Sequence, residues 1–172
     1  ICQVPRPSKK EEKMIAYLKA FGAKHNLETK VDEAGNVLIK KTATPGKENL
    51  QTVVLQSHID MVCEKNNDVQ HDFLTDPIET EIDGEWLKAK GTTLGADNGI
   101  GVATELAILA DDSIEHGPLE CLFTVDEETG LTGAFALREG FMSGDILLNL
   151  DSEDEGEIFI GCAGGIDSVA EF

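Results

Sequence analysis

Metal-ligand side chains follow directly after three short apolar stretches of the chain. These side chains are His58, Asp60, Asp126, Glu127, Glu128 and Asp151. A further candidate, Asp97, lies in the glycine-rich segment Gly91–Gly99, just before an apolar helical pattern. Imidazole nitrogen combined with carboxylate oxygen is typical of zinc, manganese or cobalt sites, whereas calcium and magnesium more often use oxygen alone. The residue types therefore indicate a divalent-cation site.

The charge distribution supports a cation as the counter-charge. Residues 51–172 carry 27 of the 33 acidic residues but only 4 of the 14 Lys and Arg residues. Beyond Lys90, Arg138 is the only basic residue. Several carboxylates in one cleft resist joint ionisation because like charges repel at short range. Each of these acidic residues, taken alone, is equally typical of a solvated surface or a turn. Their common position in the fold therefore has to decide whether they bind a cation.

The apolar periodicity predicts an α/β fold that brings these residues together. Helices are predicted over Lys9–His25 (capped by Ser8), Ile100–Ala110 and Leu131–Arg138. Strands are predicted over Leu27–Glu33, Val37–Lys41, Thr52–Gln56, Pro118–Val125, Ile146–Leu150 and Glu157–Cys162, with a hairpin that turns at Asp83-Gly84. We expect a mixed, largely parallel sheet flanked by helices. Sites in such sheets form outside the carboxyl ends of the strands, where the candidate ligands lie.

Composition excludes several classes of function. The 172 residues have a formal net charge of −19, which argues against a nucleic-acid partner because phosphate binding needs Lys and Arg. No apolar run approaches the about 20 residues of a membrane span, and no signal peptide opens the chain. The four cysteines Cys2, Cys63, Cys121 and Cys162 form no C-x-x-C pair. We expect free thiols in a cytoplasmic protein without a membrane partner, with Cys121 in the core.

Four motifs occur in an order that matches a known family. They are Ser57-His58-Ile59-Asp60-Met61-Val62, Gly91-Thr92-Thr93-Leu94-Gly95-Ala96-Asp97-Asn98-Gly99, Asp126-Glu127-Glu128-Thr129-Gly130 and Leu150-Asp151-Ser152-Glu153. Together they resemble the co-catalytic zinc aminoacyl-histidine (Xaa-His) dipeptidases, which are metallopeptidases. The N-terminal Val4–Ser8 and the late Gly161–Gly165 segments are similar to that family as well.

The resemblance implies a role for each candidate residue. Asp97 would bridge two divalent metal ions, with zinc expected and manganese or cobalt as alternatives. His58 and Asp151 would complete the site of one ion, and Glu128 would bind the other. Glu127 would be the general base that activates water, and Asp60 would orient His58 through its second ring nitrogen. The peptide bond after Asp97 is usually cis in this family, so a cis bond between Asp97 and Asn98 is expected.

The resemblance also implies that residues 1–172 are only the N-terminal portion of a catalytic domain of the zinc-exopeptidase type. A lid domain and a C-terminal catalytic part, which supplies one further metal-binding His, would be missing. The full-length protein would form a homodimer through the lid and cleave small peptides. The 172-residue chain alone is predicted to be inactive, or nearly so, on dipeptides.

Two alternatives remain open from the sequence. Related metal hydrolases of the same superfamily include aminopeptidases, carboxypeptidases and deacylases, and the residues that select between these substrates lie largely outside this chain. The second alternative is a non-enzymatic acidic module that binds metal or a partner. Such a module would need no general base, so Glu127 would be dispensable in it.

Overall fold

The computed structural model describes residues 1–152, 156–161, 164 and 169. In chain order the elements are α1 (Glu12–Lys24), β1 (Glu28–Val31), β2 (Val37–Lys41), β3 (Val53–His58), β4 (Thr80–Asp83), β5 (Trp86–Ala89), α2 (Ala96–Ala110), β6 (Leu119–Thr124), α3 (Thr132–Ala136) and β7 (Ile146–Asn149). Strands β4 and β5 form a separate two-stranded hairpin, and the other five strands form one sheet.

The five-stranded sheet has the order β1-β2-β6-β3-β7. Strand β3 pairs in parallel with both of its neighbours, β6 and β7. The β1/β2 and β2/β6 pairings are antiparallel, so the sheet is mixed, as expected, but only two of its four pairings are parallel. The β1/β2 pairing is antiparallel because a tight turn at Gly35, with φ of 103°, joins the two strands as a hairpin.

Helices α1 and α2 cover one face of the sheet. Met14 and Leu18 of α1 and Val102 and Leu109 of α2 pack with Phe123 of β6 in the main core. The buried Cys121 belongs to this core, as expected from its apolar surroundings. On the opposite face a smaller cluster forms where Leu38, Val54 and Leu122 meet the segment after α3. Burial of α2 against β3 fixes the start of that helix beside the end of the strand, which is where the candidate ligands lie.

The N-terminus of the first helix differs from its predicted position. Helix α1 begins at Glu12, because Lys9 has a φ of 65°, in the left-handed region that a helix cannot include. Ser8 is therefore not its cap. The β4/β5 hairpin also differs slightly from its predicted form: Asp83 pairs with Trp86, so Gly84 and Glu85 form the two-residue loop.

The last predicted strand does not form in the part that the structure describes. Residues 157–161 have no strand pairing, and Cys162 lies outside the described residues, as do Glu153 and most of the Gly161–Gly165 segment. Cys2, Cys63 and Cys121 are free thiols. None of the helices within the described ranges has the length and apolar character that crossing a membrane requires.

Candidate metal and catalytic site

Three neighbouring strands end at the same edge of the sheet. In the parallel register His58 is opposite Thr124 of β6, and Gln56 is opposite Asn149 of β7. The polar residues that follow β6 and β7 therefore adjoin the end of β3. Asp97, at the start of α2, approaches from the helix that packs on β3. The structure thus brings the six predicted site residues to one place, over a sequence separation of more than 90 positions.

His58 is the centre of the cluster. Its side chain is 1% exposed, and its Nε2 atom lies 3.0 Å from Asp97 Oδ1 and 3.7 Å from Asp151 Oδ1. The three ligand atoms of His58, Asp97 and Asp151 all lie within 4.8 Å of one another. This is the grouping that the sequence resemblance implies for the first ion.

Glu127 and Glu128 approach the same imidazole from the end of β6. Glu127 Oε2 lies 3.9 Å from His58 Nε2. One ligand atom from each of His58, Glu127 and Glu128 forms a second group in which all separations are below 4.8 Å. The resemblance implies instead that Glu128 shares its ion with Asp97, and these two residues do not occur together in a group of three or more among the described residues. Glu128 is therefore beside the site, but its predicted pairing with Asp97 remains a prediction.

The backbone is irregular at the start of α2, beside the candidate site. Asp97 and Asn98 have non-helical dihedral angles, and the peptide bond between them is cis, as expected. The Asn98 side chain turns inward, and its Nδ2 atom donates hydrogen bonds to Asp151 Oδ1 and, at 3.1 Å, to Leu150 O. Asn98 therefore links the start of α2 to the end of β7.

Asp60 lies behind His58 and is fully buried. Its Oδ1 atom is 3.1 Å from His58 Nδ1 and accepts the Glu127 amide at 3.0 Å, while Oδ2 accepts the Ser8 hydroxyl at 2.7 Å and the Glu128 amide at 3.2 Å. Burial alone would raise the pKa of Asp60, but these hydrogen bonds outweigh it and lower the pKa to about 2. One ionised carboxylate therefore fixes the imidazole and the Glu127-Glu128 backbone together.

The electrostatics of the cluster favour a bound cation. Burial raises the pKa of Glu127, and the Asp151 and Glu128 carboxylates add to this rise, while His58 opposes it. Burial also raises the pKa of Asp151, with a further contribution from Asp97. For His58, burial lowers the pKa, but hydrogen bonds with Asp60 and Asp97 outweigh it and raise the pKa to about 9. Several carboxylates are therefore crowded together around the His58 imidazole, and their mutual repulsion favours a cation between them.

A second acidic cluster beneath the site has an ordinary structural explanation. Oxygen atoms of Glu11, Asp60 and Asp126, all buried, lie within 4.8 Å of one another. Glu11 Oε1 accepts the amide hydrogens of Lys9 and Asp126, and the two Asp126 oxygens accept the hydroxyls of Thr129 and Thr132, each at 2.6 Å. Protein donors thus satisfy these carboxylates. Asp126, which the sequence pattern had included among the candidate ligands, holds the turn after β6 instead.

Three residues that contact the site were not predicted to take part in it. Ser8 and Arg6 lie in the Val4–Ser8 segment, which the sequence marked as similar to the dipeptidase family without a function. Ser8, expected as a helix cap, hydrogen-bonds Asp60, and the Arg6 guanidinium bonds the Asp60 carbonyl. Asn98 was part of a recognised motif but was not expected to hold Asp151. All three act on residues more than 50 positions away, which local patterns cannot reveal.

The fold and the cluster define an α/β protein with a strand-end site suited to divalent cations, and comparison with known proteins gives its family. The chain belongs to peptidase family M20/M25/M40, whose profile matches residues 54–168. That match includes His58, Asp60, Asp97, Glu127, Glu128 and Asp151.

Individual relatives agree with this assignment. The chain is 56% identical over 167 residues to the cytosol non-specific dipeptidase of Escherichia coli, a match that covers 97% of this chain and 34% of the relative. Its structure is similar to the aminoacylhistidine dipeptidase of Vibrio alginolyticus, with a TM-score of 0.91, 58% identity and coverage of 94% and 33%. The aminopeptidase PepT of Bacillus cereus matches with a TM-score of 0.74 at 27% identity, over 89% of this chain and 41% of PepT. The chain spans about a third of the length of the first two relatives.

Proposed function

We propose that the protein to which this chain belongs is a metal-dependent dipeptidase, and that this segment supplies most of its metal ligands and its general base. The observation that carries the proposal is the grouping of His58, Asp97 and Asp151 ligand atoms within 4.8 Å of one another. The names of the E. coli and Vibrio relatives support the reaction type. Because the chain spans about a third of those relatives, the activity belongs to the longer protein.

The donor set fits two divalent ions. One imidazole with several carboxylates suits zinc, with manganese or cobalt as alternatives. His58, Asp97 and Asp151 would hold one ion, and Asp97 and Glu128 would hold the other. Burial raises the pKa of Glu128, and the Asp97 and Asp60 carboxylates add to this rise, while His58 opposes it. This crowding of carboxylates supports a cation beside Glu128. The second ion needs one more protein ligand, which we expect from outside this chain.

Glu127 is the general base in this proposal. When bound, such ions lower the pKa of a coordinated water and polarise a substrate carbonyl. Glu127 accepts a proton from the attacking water and delivers it to the amine of the leaving residue. Burial and the neighbouring Asp151 and Glu128 raise the pKa of Glu127 against the opposing His58, which makes its carboxylate a stronger base for the first of these steps. Asp60 holds the His58 ring so that Nε2 faces Asp97.

The substrate we propose is a small peptide, and specifically a dipeptide of the Xaa-His type. A cavity of about 260 Å³ lies beside the site, lined by Asp97, Asn98, Leu150 and Asp151 among others. Its size suits one or two amino-acid residues rather than a folded protein. Aminopeptidase activity on longer peptides is the second candidate, because PepT shares this fold at 27% identity.

The decisive experiment uses the full-length protein and a Glu127→Gln variant. We expect metal analysis to find two divalent ions in both, while cleavage of a Xaa-His dipeptide falls by about 100- to 10,000-fold in the variant, the usual contribution of a general base. Glu139→Gln, at an exposed position, is the matched control and should retain full activity. Wild-type turnover by Glu127→Gln would contradict the general base. Absence of metal binding by the wild type would contradict the proposed function itself.

A panel of substrates separates the remaining alternatives. A dipeptidase cleaves Xaa-His dipeptides but not the corresponding tripeptides, whereas an aminopeptidase cleaves both. A deacylase would release an acyl group, and a carboxypeptidase would require a free C-terminus on a longer peptide. A non-enzymatic metal-binding module would bind the ions and cleave none of these substrates. We further propose that the full-length protein is a cytoplasmic homodimer and that residues 1–172 alone cleave dipeptides poorly or not at all.

A further inference from the structure

Arg6 is a buried cation that contacts two segments of the candidate site, the one that follows β3 and the one that precedes Asp97. Its side chain is 3% exposed. The Nη1 atom donates hydrogen bonds to the carbonyl oxygens of Ile59, at 3.0 Å, and Asp60, at 2.9 Å. The Nη2 atom donates to the carbonyl oxygen of Gly95. One planar group therefore joins the segment after β3 to the segment before Asp97.

The glycine-rich loop is shaped around this guanidinium. A Cβ atom at Gly95 would lie 2.5 Å from Arg6 Nη2, and one at Gly99 would lie 2.8 Å from the same atom. Gly95 also has a φ of 70°, which favours glycine on its own. Gly99 has no such backbone requirement, and the atom that a Cβ there would approach most closely is Arg6 Nη2. The two glycines flank Asp97 in sequence.

The charge of Arg6 is held without a carboxylate partner. Within the described ranges, no Asp or Glu oxygen lies within 4 Å of the guanidinium, and its hydrogen bonds go to backbone carbonyls. Burying a charge in this way is costly unless its hydrogen bonds are satisfied. Arg remains protonated in proteins, and its rigid fork can bind several carbonyls in a fixed geometry, which a Lys ammonium cannot reproduce.

We propose that Arg6 is a positioning residue of the metal site: it fixes the Asp97 loop relative to the end of β3 and thereby the separation of Asp97 from His58. This inference rests on the metal-dependent function proposed above. Arg6 touches neither the substrate nor the ions in this scheme. It acts through Asp60, which holds the His58 ring, and through Gly95, two residues before Asp97.

The test is metal affinity in the full-length protein, measured well below the melting temperature of each variant. Arg6→Met keeps the apolar stem but removes the fork, and we expect at least a tenfold loss of zinc affinity, a typical effect of losing groups that orient metal ligands. We also expect kcat/KM of Arg6→Met to fall, and this fall should come from kcat rather than from KM. Arg6→Lys keeps the charge but not the geometry and should also lose affinity. Arg138→Met is the matched control, because Arg138 is 78% exposed and its ion pair is with the exposed Glu33, away from the site.

Cobalt substitution adds a readout that a merely structural role would not move. The visible absorption of bound Co²⁺ reports ligand geometry, and we expect it to change in Arg6→Met but not in Arg138→Met. A variant with a lower melting temperature but with wild-type zinc affinity and cobalt spectrum would overturn the proposal. Failure of the wild type to bind zinc or cobalt would instead overturn the proposed function on which the inference rests.

A second variant tests the proposal if Arg6→Met does not fold. Gly99→Ala places a methyl group 2.8 Å from Nη2 and should displace the guanidinium, with a similar loss of zinc affinity. Where Arg6→Met does fold, a double-mutant cycle gives a further test: Gly99→Ala should have little additional effect in the Arg6→Met background, since both act through one contact. Unchanged zinc affinity in Gly99→Ala, or fully additive effects in a cycle whose members all fold, would overturn the proposal.

Discussion

Asp60 Oδ1 lies 3.1 Å from His58 Nδ1, and both side chains are almost completely buried. The carboxylate also accepts three hydrogen bonds from Ser8, Glu127 and Glu128. With Nδ1 engaged by Asp60, Nε2 is left to face Asp97, 3.0 Å away. A histidine that ligates a metal through one nitrogen commonly contacts a carboxylate through the other. This pair therefore determines the direction in which the His58 imidazole points.

Asp60→Asn should weaken metal binding by about 10- to 100-fold in the full-length protein, the range expected when a metal-bound His loses its orienting carboxylate. The amide can accept on one side only, so it cannot receive all four hydrogen bonds that Asp60 accepts. Isothermal titration with zinc would measure the loss. Asp112→Asn, at a side chain that is 97% exposed, is the control and should bind zinc normally. Equal affinities in the two variants would contradict this role.

Asn98→Ala should weaken the hold on Asp151. Asn98 Nδ2 donates to both Leu150 O and Asp151 Oδ1, and Asn98 itself is 1% exposed. Without this donor the Asp151 carboxylate loses its link to α2, and we expect zinc affinity to fall by about tenfold, as for other orienting partners. Asn67→Ala, at an exposed position away from the sheet edge, is the control and should bind zinc normally. Equal zinc affinities in Asn98→Ala and Asn67→Ala would contradict the prediction.

Glu105→Gln should stabilise the protein increasingly as pH rises. Glu105 is fully buried in α2, and neither of its carboxyl oxygens has a hydrogen-bond partner within the described residues. Burial raises the pKa of Glu105 well above its usual value, although the nearby Ser57 hydroxyl opposes this rise. Above about pH 4.5 the unfolded state ionises at this residue while the folded state keeps its proton. The wild type therefore loses stability with rising pH, by at most about 1.4 kcal/mol per pH unit, until the folded-state pKa is reached.

Urea denaturation at pH 5 and pH 8 would measure this effect. The free energy of unfolding of Glu105→Gln, relative to the wild type, should be greater at pH 8 than at pH 5. Glu115→Gln, at a side chain that is 77% exposed, should show no such trend. An identical pH dependence in Glu105→Gln and the wild type would mean that Glu105 does not carry the folding-linked proton.

Gly133→Ala should destabilise the fold by about 1–3 kcal/mol, the usual cost of forcing extra atoms into a packed site. A Cβ at this buried position would lie 2.4 Å from the Val125 carbonyl oxygen and 2.5 Å from Asn36 Oδ1. Val125 begins the turn after β6 that carries Glu127, and Asn36 lies in the turn between β1 and β2. Gly161→Ala, which meets nothing within 4 Å, is the control. Thermal denaturation of both variants would test the prediction, and equal melting temperatures would contradict it.

The sequence predicted the elements of the site better than their connections. The runs that became β3, β6 and β7 were recognisable because short β-branched and apolar stretches have a strong local signal. Their ends differ by one or two residues from prediction, as at β3, which extends to His58. The segment 157–161 was predicted as a strand from its apolar residues but forms none, because β-propensity produces a strand only where a partner strand is available to pair with it.

By itself, the sequence determined which residue types stand at the strand ends, and the order of its motifs identified the family. Tertiary structure alone decided which of them meet. The order β6-β3-β7 places His58 between Glu127 and Asp151, and the fold of the N-terminus brings Arg6 and Ser8 to Asp60. The physical reason is the range of the interactions: apolar periodicity and turn chemistry act over a few residues, whereas these contacts form only when the sheet and α2 bury their apolar faces against each other.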